Sequence, residues 1–470
     1  MPSHVSPIRT RHRAGSPVPA SNTGAAAPGS NLTVTHQPTA AIQPSNQAVR
    51  KRGRGQVERL AANIERFGCL VPILVTARGE IIDGHAIYEA CRRLGHATVA
   101  TIIVDHLSED EIRALRLSLN RITESSSWDP DALKREFAHL LSAETDLIAF
   151  SGFDMPEIDL ALSAMAVDDS DPADAIPEPS SEAVSRTGDL WGFAGGHRLL
   201  CGNAREAESY SVLLTGHLAQ KVTTDPPYGC AIHNHVSGSH GEFVEGSGMN
   251  ETQAHAFFDA FLGAMIPYVA DGAVVEMFID WRGMQALVSA ARGAGLQQLT
   301  TCVWDKGLGG MGSLYRQQAE FVLVMKCGAA RHVNNVALGR HGRNRTTIWS
   351  ARGLNGFGPG RDAALALHPT VKPVGLIAEA LLDTSLRGGR ILDPFCGSGT
   401  TLLACHRTGR VGHGIELDPA YVDVAVRRME ALTGSPACHA ATGRTFAEEA
   451  ERRAQEPKPA RAAVAVAAEA

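Results

Sequence analysis

The chain has 470 residues, 44% of them hydrophobic, which is room for two or three domains with real cores. No run of eighteen apolar residues occurs, which excludes an ordinary membrane-spanning helix. A formal net charge of −6 gives no general attraction to nucleic acid, so any such binding needs a local basic patch. The nine cysteines are scattered, odd in number and without a C-x-x-C pair, which points to reduced thiols in a cytoplasm.

Residues 1–49 are rich in Ser, Pro, Ala, Thr and Asn, and no acidic residue precedes Glu58. Such a segment buries too little apolar surface to offset its ordering entropy and is expected to be disordered. Its prolines argue against an amphipathic transit peptide. A first compact unit is expected over 50–163. There "VERLAANIERFG" reads as a helix stopped by Gly68, "VPILVTARGEIIDG" as two short strands around a Gly turn, and "AIYEACRRLGH" as a second helix. The strand "TVATIIVD" follows, then a helix from "SEDEIRALRLSLNRI", where Ser108 and Glu111 fit a capping box. Residues 164–187, acidic and proline-rich, read as a linker. The tail, 435–470, is charged and then Ala-rich, and is expected to be disordered.

Between linker and tail, residues 188–434 alternate strand-like apolar runs with helical patterns. "KVTTD", "AVVEMFI", "FVLVMK", "GRILDPF" and "RVGHGIEL" are the expected strands, implying an α/β unit with a mostly parallel sheet. Ligands of such sheets sit beyond the carboxyl ends of the strands. Two strands end in Asp-Pro, at Asp225-Pro226 and Asp393-Pro394, so each brings a carboxylate to that edge. After Asp393, "FCGSGTT" is a Gly-rich turn opening a helix, where Gly397 and Gly399 allow close backbone approach. The next strand ends in Glu416, spaced as in dinucleotide folds where an acid grips ribose hydroxyls. No G-K-[ST] follows the glycines, so the expected ligand is a nucleoside that need not carry phosphates.

These runs resemble the motifs of the amino-directed DNA methyltransferases. "DPFCGSGTT" looks like their S-adenosylmethionine motif, "TDPPYG" like their catalytic motif, and "HPTVKP" like a third signature element. The order of the three in this chain is that of the permuted beta class. "LLCGNA" is similar to a family element near the cofactor adenine, with Asn203 where Asp is usual; Cys396 stands where Gly or Ala is commoner. The resemblance implies a Rossmann-like sheet and S-adenosylmethionine as cofactor, held by Asn203, His368, Lys372, Asp393, Phe395, Gly397, Gly399, Thr400 and Glu416. It also implies a catalytic group of Asp225, Pro226, Pro227 and Tyr228. An exocyclic amine is a poor nucleophile because its lone pair is delocalised into the ring. Asp225 and the Pro226 carbonyl can localise that pair by accepting the amine's hydrogens. The prolines fix φ and donate no N–H, and Tyr228 can stack on a flipped base.

Double-stranded DNA is the implied partner. From Lys326 to Arg361 seven Lys/Arg and no acids occur, a local footprint for phosphates in which Arg331, Arg340, Arg343 and Arg345 are the expected DNA contacts. "HNHVSGSHGE", with His233, His235 and His240, reads as a substrate-covering loop and not as a metal site. The first unit resembles the small α+β ParB-like domain fused to such enzymes. It carries "GHAIYE" where partition relatives have a Gly-Glu-Arg-Arg run, so nucleotide binding is not carried over; a DNA-binding or assembly accessory is expected. "DPPY" points to adenine N6 within a restriction-modification setting. N4-cytosine methylation, a catalytically silent DNA-binding fusion, and methylation of RNA or a protein amide stay open as alternatives. The oligomeric state is also open, a homodimer being one option.

Overall fold

The computed structural model describes residues 32–45, 53–143, 146–162, 171–180, 182–227, 249–307, 309, 314–338, 343–352 and 372–456. It divides into two compact units, the second comprising Leu133–His139 and the chain from Phe153 onward. No helix among the described residues is long and apolar enough to cross a membrane.

The first unit is built on a four-stranded sheet. Its strands are β1 (Val34–Pro38), β2 (Ile73–Thr76), β3 (Ile81–Asp83) and β4 (Thr98–Val104), in the order β1-β4-β2-β3. Ile73, Val75, Ile81 and Val99 point to a shared core. Against them lie Val57, Ala61 and Ile64 of α1 (Arg54–Phe67) and Ala90 and Cys91 of α2 (His85–Arg93). Helix α3 (Glu109–Glu124) opens on the expected capping box, both halves of it formed by Ser108 and Glu111. β1 lies inside the stretch expected to be disordered. Its five residues pair antiparallel with β4, and the ladder supplies the backbone partners that composition could not reveal.

The second unit carries α4 (Pro130–Ser142) in part, α5 (Met155–Leu162), and a ten-stranded sheet. In chain order the strands are β5 (Leu190–Gly192), β6 (Arg198–Cys201), β7 (Ala219–Thr224), β8 (Val269–Ile279), β9 (Gln297–Asp305), β10 (Ala319–Lys326), β11 (Ile348–Ser350), β12 (Arg390–Asp393), β13 (Val411–Glu416) and β14 (Cys438–His439). The spatial order is β11-β9-β10-β8-β7-β12-β13-β6-β5-β14. The five central strands, β8 to β6, are parallel, whereas β10, β5 and β14 join antiparallel. Helices α6 (Ala207–Leu214), α7 (Glu251–Met265) and α8 (Met284–Gly293) bury Tyr210, Phe258, Phe261 and Leu287 on one face. On the other face α9 (Val374–Thr384), α10 (Thr400–Thr408) and α11 (Pro419–Thr433) bury Ile377, Leu402, Val422 and Met429. A sheet covered on both faces explains why its central strands read as unbroken apolar runs.

Two sequence expectations at the margins of this unit give way. Residues 438–454, expected as disordered tail, form β14 and α12 (Phe446–Ala454). Their Phe446 packs on the buried Trp191 at 5.2 Å, and Thr445 closes a capping box with Glu448. Residues 171–187, expected as a linker, are tied to the sheet unit. Asp171 accepts from Arg407 at 2.7 Å, and Asp423 accepts the amides of Val184 and Ser185 at 2.6 and 2.9 Å. Asp159 of α5 similarly pairs with Arg387 and the buried Arg410 at 2.9 and 2.8 Å. Of the acids in residues 171–187, Asp171 is thus engaged by an arginine far along the chain.

Candidate active site

β7 and β12 are neighbouring parallel strands; β12 ends in Asp393, and Asp225 directly follows β7. From β7 the chain runs through α7 to β8 on one flank; from β12 it runs through α10 to β13 on the other. Such a reversal of strand order leaves a crevice beyond the carboxyl ends. Asp225 and Asp393 both stand at this crevice.

Asp393 is the anchored one. Its Oδ1 accepts from the Thr224 hydroxyl at 2.7 Å and the Phe395 amide at 3.2 Å, and its Oδ2 accepts from the Thr401 hydroxyl at 2.5 Å. Burial pushes its carboxyl up to about 6, and the three hydrogen bonds work in the opposite direction. Phe395 sits between α7 aromatics, 5.1 Å from Phe261 and 5.8 Å from Phe257.

The Gly-rich turn separates two tasks. Both glycines have positive φ, 51° at Gly397 and 85° at Gly399. A Cβ on Gly399 would stand 2.8 Å from that of Ala425 in α11, so this glycine serves helix packing. A Cβ on Gly397 would meet nothing within 4 Å; it faces open space at the crevice. Glu416 closes the turn, accepting from the Gly397 amide at 2.8 Å and the Asp418 amide at 2.9 Å. Burial pushes Glu416 up to about 7 despite these donors. Asn203 follows β6 next to β13, where the Gly202 amide bonds the Glu416 carbonyl at 2.9 Å. The Asn203 side chain accepts from the Arg205 amide at 2.9 Å, a local turn.

Asp225 is half-buried, with Pro226 buried behind it. Lys372, expected beside the cofactor, reaches Asp225, its Nζ donating to Oδ2 at 2.5 Å. It is 5% exposed and also lies 3.1 Å from Glu320. Burial alone would lower the Lys372 pKa; Asp225 and Glu320 outweigh it and raise it. Burial likewise pushes Glu320 up, but Lys372 and Lys306 together bring it down to about 2.

Three further expected site residues make side-chain contacts within the domain. Thr400, expected at the cofactor, is turned inward and accepts from Arg428 at 3.2 Å. Arg343 and Arg345, expected on DNA, face α9. Arg343 is 6% exposed and pairs with Asp383 at 2.6 Å and Glu379 at 2.9 Å, while Arg345 pairs with Asp383 at 2.9 Å. Two acids on one helix turn, outside the basic stretch itself, neutralise these arginines. Arg331 is exposed. Tyr228, Arg340, His368 and the loop histidines 233, 235 and 240 lie outside the described residues. Among the described residues no His/Cys/Asp/Glu group could hold a metal ion. Sequence reasoning missed Thr224, Glu320 and Lys306; a lone acid at the start of the apolar run "AEFVLVMK" was the available signal.

Residues 219–427 match the model of the N6/N4 DNA methylase family, and residues 131–187 match the ParB-methyltransferase HTH domain. The chain is 37% identical over 90 residues to the type II methyltransferase M.ScaI of Streptomyces caespitosus, covering 19% of this chain and 30% of that protein. It is 40% identical over 88 residues to M.Cfr9I of Citrobacter freundii, covering 19% of this chain and 27% of that protein. It thus spans less than a third of the length of these curated relatives. Among solved structures, an M1.HpyAVI–SAM complex covers 48% of this chain and 97% of its own, at 20% identity and TM-score 0.36. The cytosine-N4-specific PvuII DNA methyltransferase covers 55% and 94%, at 13% identity and TM-score 0.40. Over residues 219–427 the ten-stranded sheet unit is thus similar to the N6/N4 DNA methylase family, and the region before it, 131–187, to the ParB-methyltransferase HTH domain.

Proposed function

We propose that the protein transfers a methyl group from S-adenosylmethionine to an exocyclic amine of a DNA base, adenine N6 in the first place. The observation that carries this reading is the meeting of Asp225 and Asp393 at the β7/β12 switch point, with Glu416 bonded to the Gly397 amide beside them. The residues fit the group: open space at Gly397, a carboxylate at Glu416 for ribose hydroxyls, and the Phe395 ring at the turn. Curated relatives are named as type II methyltransferases, and one structural neighbour was solved with S-adenosylmethionine.

S-adenosylmethionine supplies an electrophilic methyl on a sulfonium. All else falls to the chain. Asp225 and the Pro226 carbonyl accept the amine's hydrogens and turn its lone pair out of the ring. Pro226 and Pro227 keep those acceptors from rotating. Asp393, fixed by Thr224 and Thr401, holds the crevice floor. Catalysis is then mainly positioning and electrostatics. The HTH-matched region and exposed Arg331 would contribute DNA affinity.

The test is expression in a methylation-free host, with genomic DNA read for N6-methyladenine and N4-methylcytosine. N6-methyladenine is the expected product; N4-methylcytosine alone would shift the target base, and neither would overturn the reading. Asp225→Ala should reduce transfer at least about a hundredfold while leaving the cofactor Kd within about twofold.

A further inference from the structure

Glu320 begins β10, paired in register with Trp304 of β9, and its strand neighbours Val322 and Val324 face the same core as Phe278 and Trp304. In that apolar layer it is 5% exposed, yet it binds two ammonium groups, Lys306 at 2.5 Å and Lys372 at 3.1 Å. Lys372 then donates to Asp225. The charges alternate along a row: Lys306, Glu320, Lys372, Asp225. The rings frame it. The Lys306 ammonium is 4.9 Å from the Trp304 centroid, and the Lys372 ammonium is 5.6 Å from Trp304 and 4.9 Å from Phe278.

Taking such charges out of water costs several kcal/mol per ion, and apolar residues of similar volume generally stabilise as well or better. Stability alone does not account for a row that ends on the carboxylate at the crevice. We propose that Glu320 is a positioning residue for methyl transfer, seating Lys372 so that its ammonium orients the Asp225 carboxylate toward the base amine; this rests on the methyltransferase reading above. Glu320 keeps Lys372 from swinging to another partner, and the two aromatic faces restrict its remaining freedom. Asp225 is thereby held as a fixed hydrogen-bond acceptor, the state that amine chemistry requires. Lys306 acts one step further out, seating Glu320.

The experiment compares Glu320→Gln, Glu320→Asp and Lys306→Met with wild type in the full chain. Labelled-methyl transfer to DNA gives kcat, calorimetry gives the S-adenosylmethionine Kd, and thermal unfolding gives Tm. Glu320→Gln should lower kcat about tenfold or more with Kd changed less than about twofold, since misplacing a reacting group by about 1 Å can cost a hundredfold. Glu320→Asp should recover part of that loss, and Lys306→Met should lower kcat by about threefold to tenfold. A folded Glu320→Gln protein with wild-type kcat overturns the proposal, as does a loss of kcat matched by an equal rise in Kd. Should Glu320→Gln fail to fold, Lys306→Met decides: reduced kcat at unchanged Kd supports the row, unchanged kcat overturns it. A wild-type chain that methylates no DNA overturns the parent reading instead, before any variant is compared.

Discussion

Glu416 carries its carboxyl up to about 7 against an ordinary value of 4.5, chiefly through burial. An acid whose folded pKa is raised penalises the folded state once it ionises, so the ligand-free domain loses stability as pH rises from about 4.5 through 7. In the proposed role, ribose hydroxyls donating to Glu416 would favour its ionised form. Cofactor affinity should therefore rise with pH up to about 7 and then level off, by up to tenfold per pH unit. Calorimetry between pH 5.5 and about 8 checks this, with Glu416→Gln expected to bind more weakly and with a flatter profile. Any slope left in that variant belongs to Asp393, pushed up to about 6. At this scale the placement of Asp225, Asp393 and Glu416 at the strand ends was legible from strand patterns and spacing. The side-chain partners of Lys372 and Thr400 were not legible. Which way a side chain turns at the start of a helix depends here on residues such as Glu320 and Arg428, distant in the sequence.

At the scale of elements, α9 explains what the basic stretch does. Arginines 343 and 345 clamp that helix through Asp383 and Glu379, close to the segment where Asn335 bonds the Leu382 and Ser385 carbonyls. Arg343→Ala leaves buried carboxylate charge partly unpaired and should cost about 3 kcal/mol in denaturant unfolding. Arg331→Ala should leave stability unchanged and weaken DNA binding, with a shallower salt dependence. Net charge over a window cannot separate these two classes, because the neutralising acids lie outside it. The α10 entrance separates two glycines in a comparable way. Gly399→Ala forces a Cβ against Ala425 and should lower stability by about 1–3 kcal/mol; Gly397→Ala meets no neighbour but is strained at its own φ of 51°, and should cost about 1 kcal/mol besides its effect on cofactor affinity. Periodicity and Gly punctuation found both the strand and the helix here, but not which glycine packs and which faces the ligand.

For the whole molecule, the α/β class and a mostly parallel sheet were readable from alternating patterns, since a sheet covered on both faces leaves continuous apolar strands. The margins were not. A two-residue strand such as β14 has no period to detect, and the ion pair and hydrogen bonds of residues 171–187 join positions more than two hundred residues apart. Removing residues after Gly434 would uncover Trp191, which is fully buried and packed on His439 and Phe446. Such a truncation should lower Tm or yield aggregated protein, as measured by scanning calorimetry and light scattering, although it leaves every proposed site residue in place.

The adjacency of β7 and β12 also has a meaning in time. Thr224 and Asp393 touch across 169 residues of sequence. A ribosome adding about 5–20 residues each second needs roughly 10–30 s to supply the second after the first. During that interval β7 can pair with β8 but lacks its other neighbour, and the crevice has only one wall. The crevice between the two strands therefore closes late in synthesis, and a chain that stops before β12 lacks one of its walls.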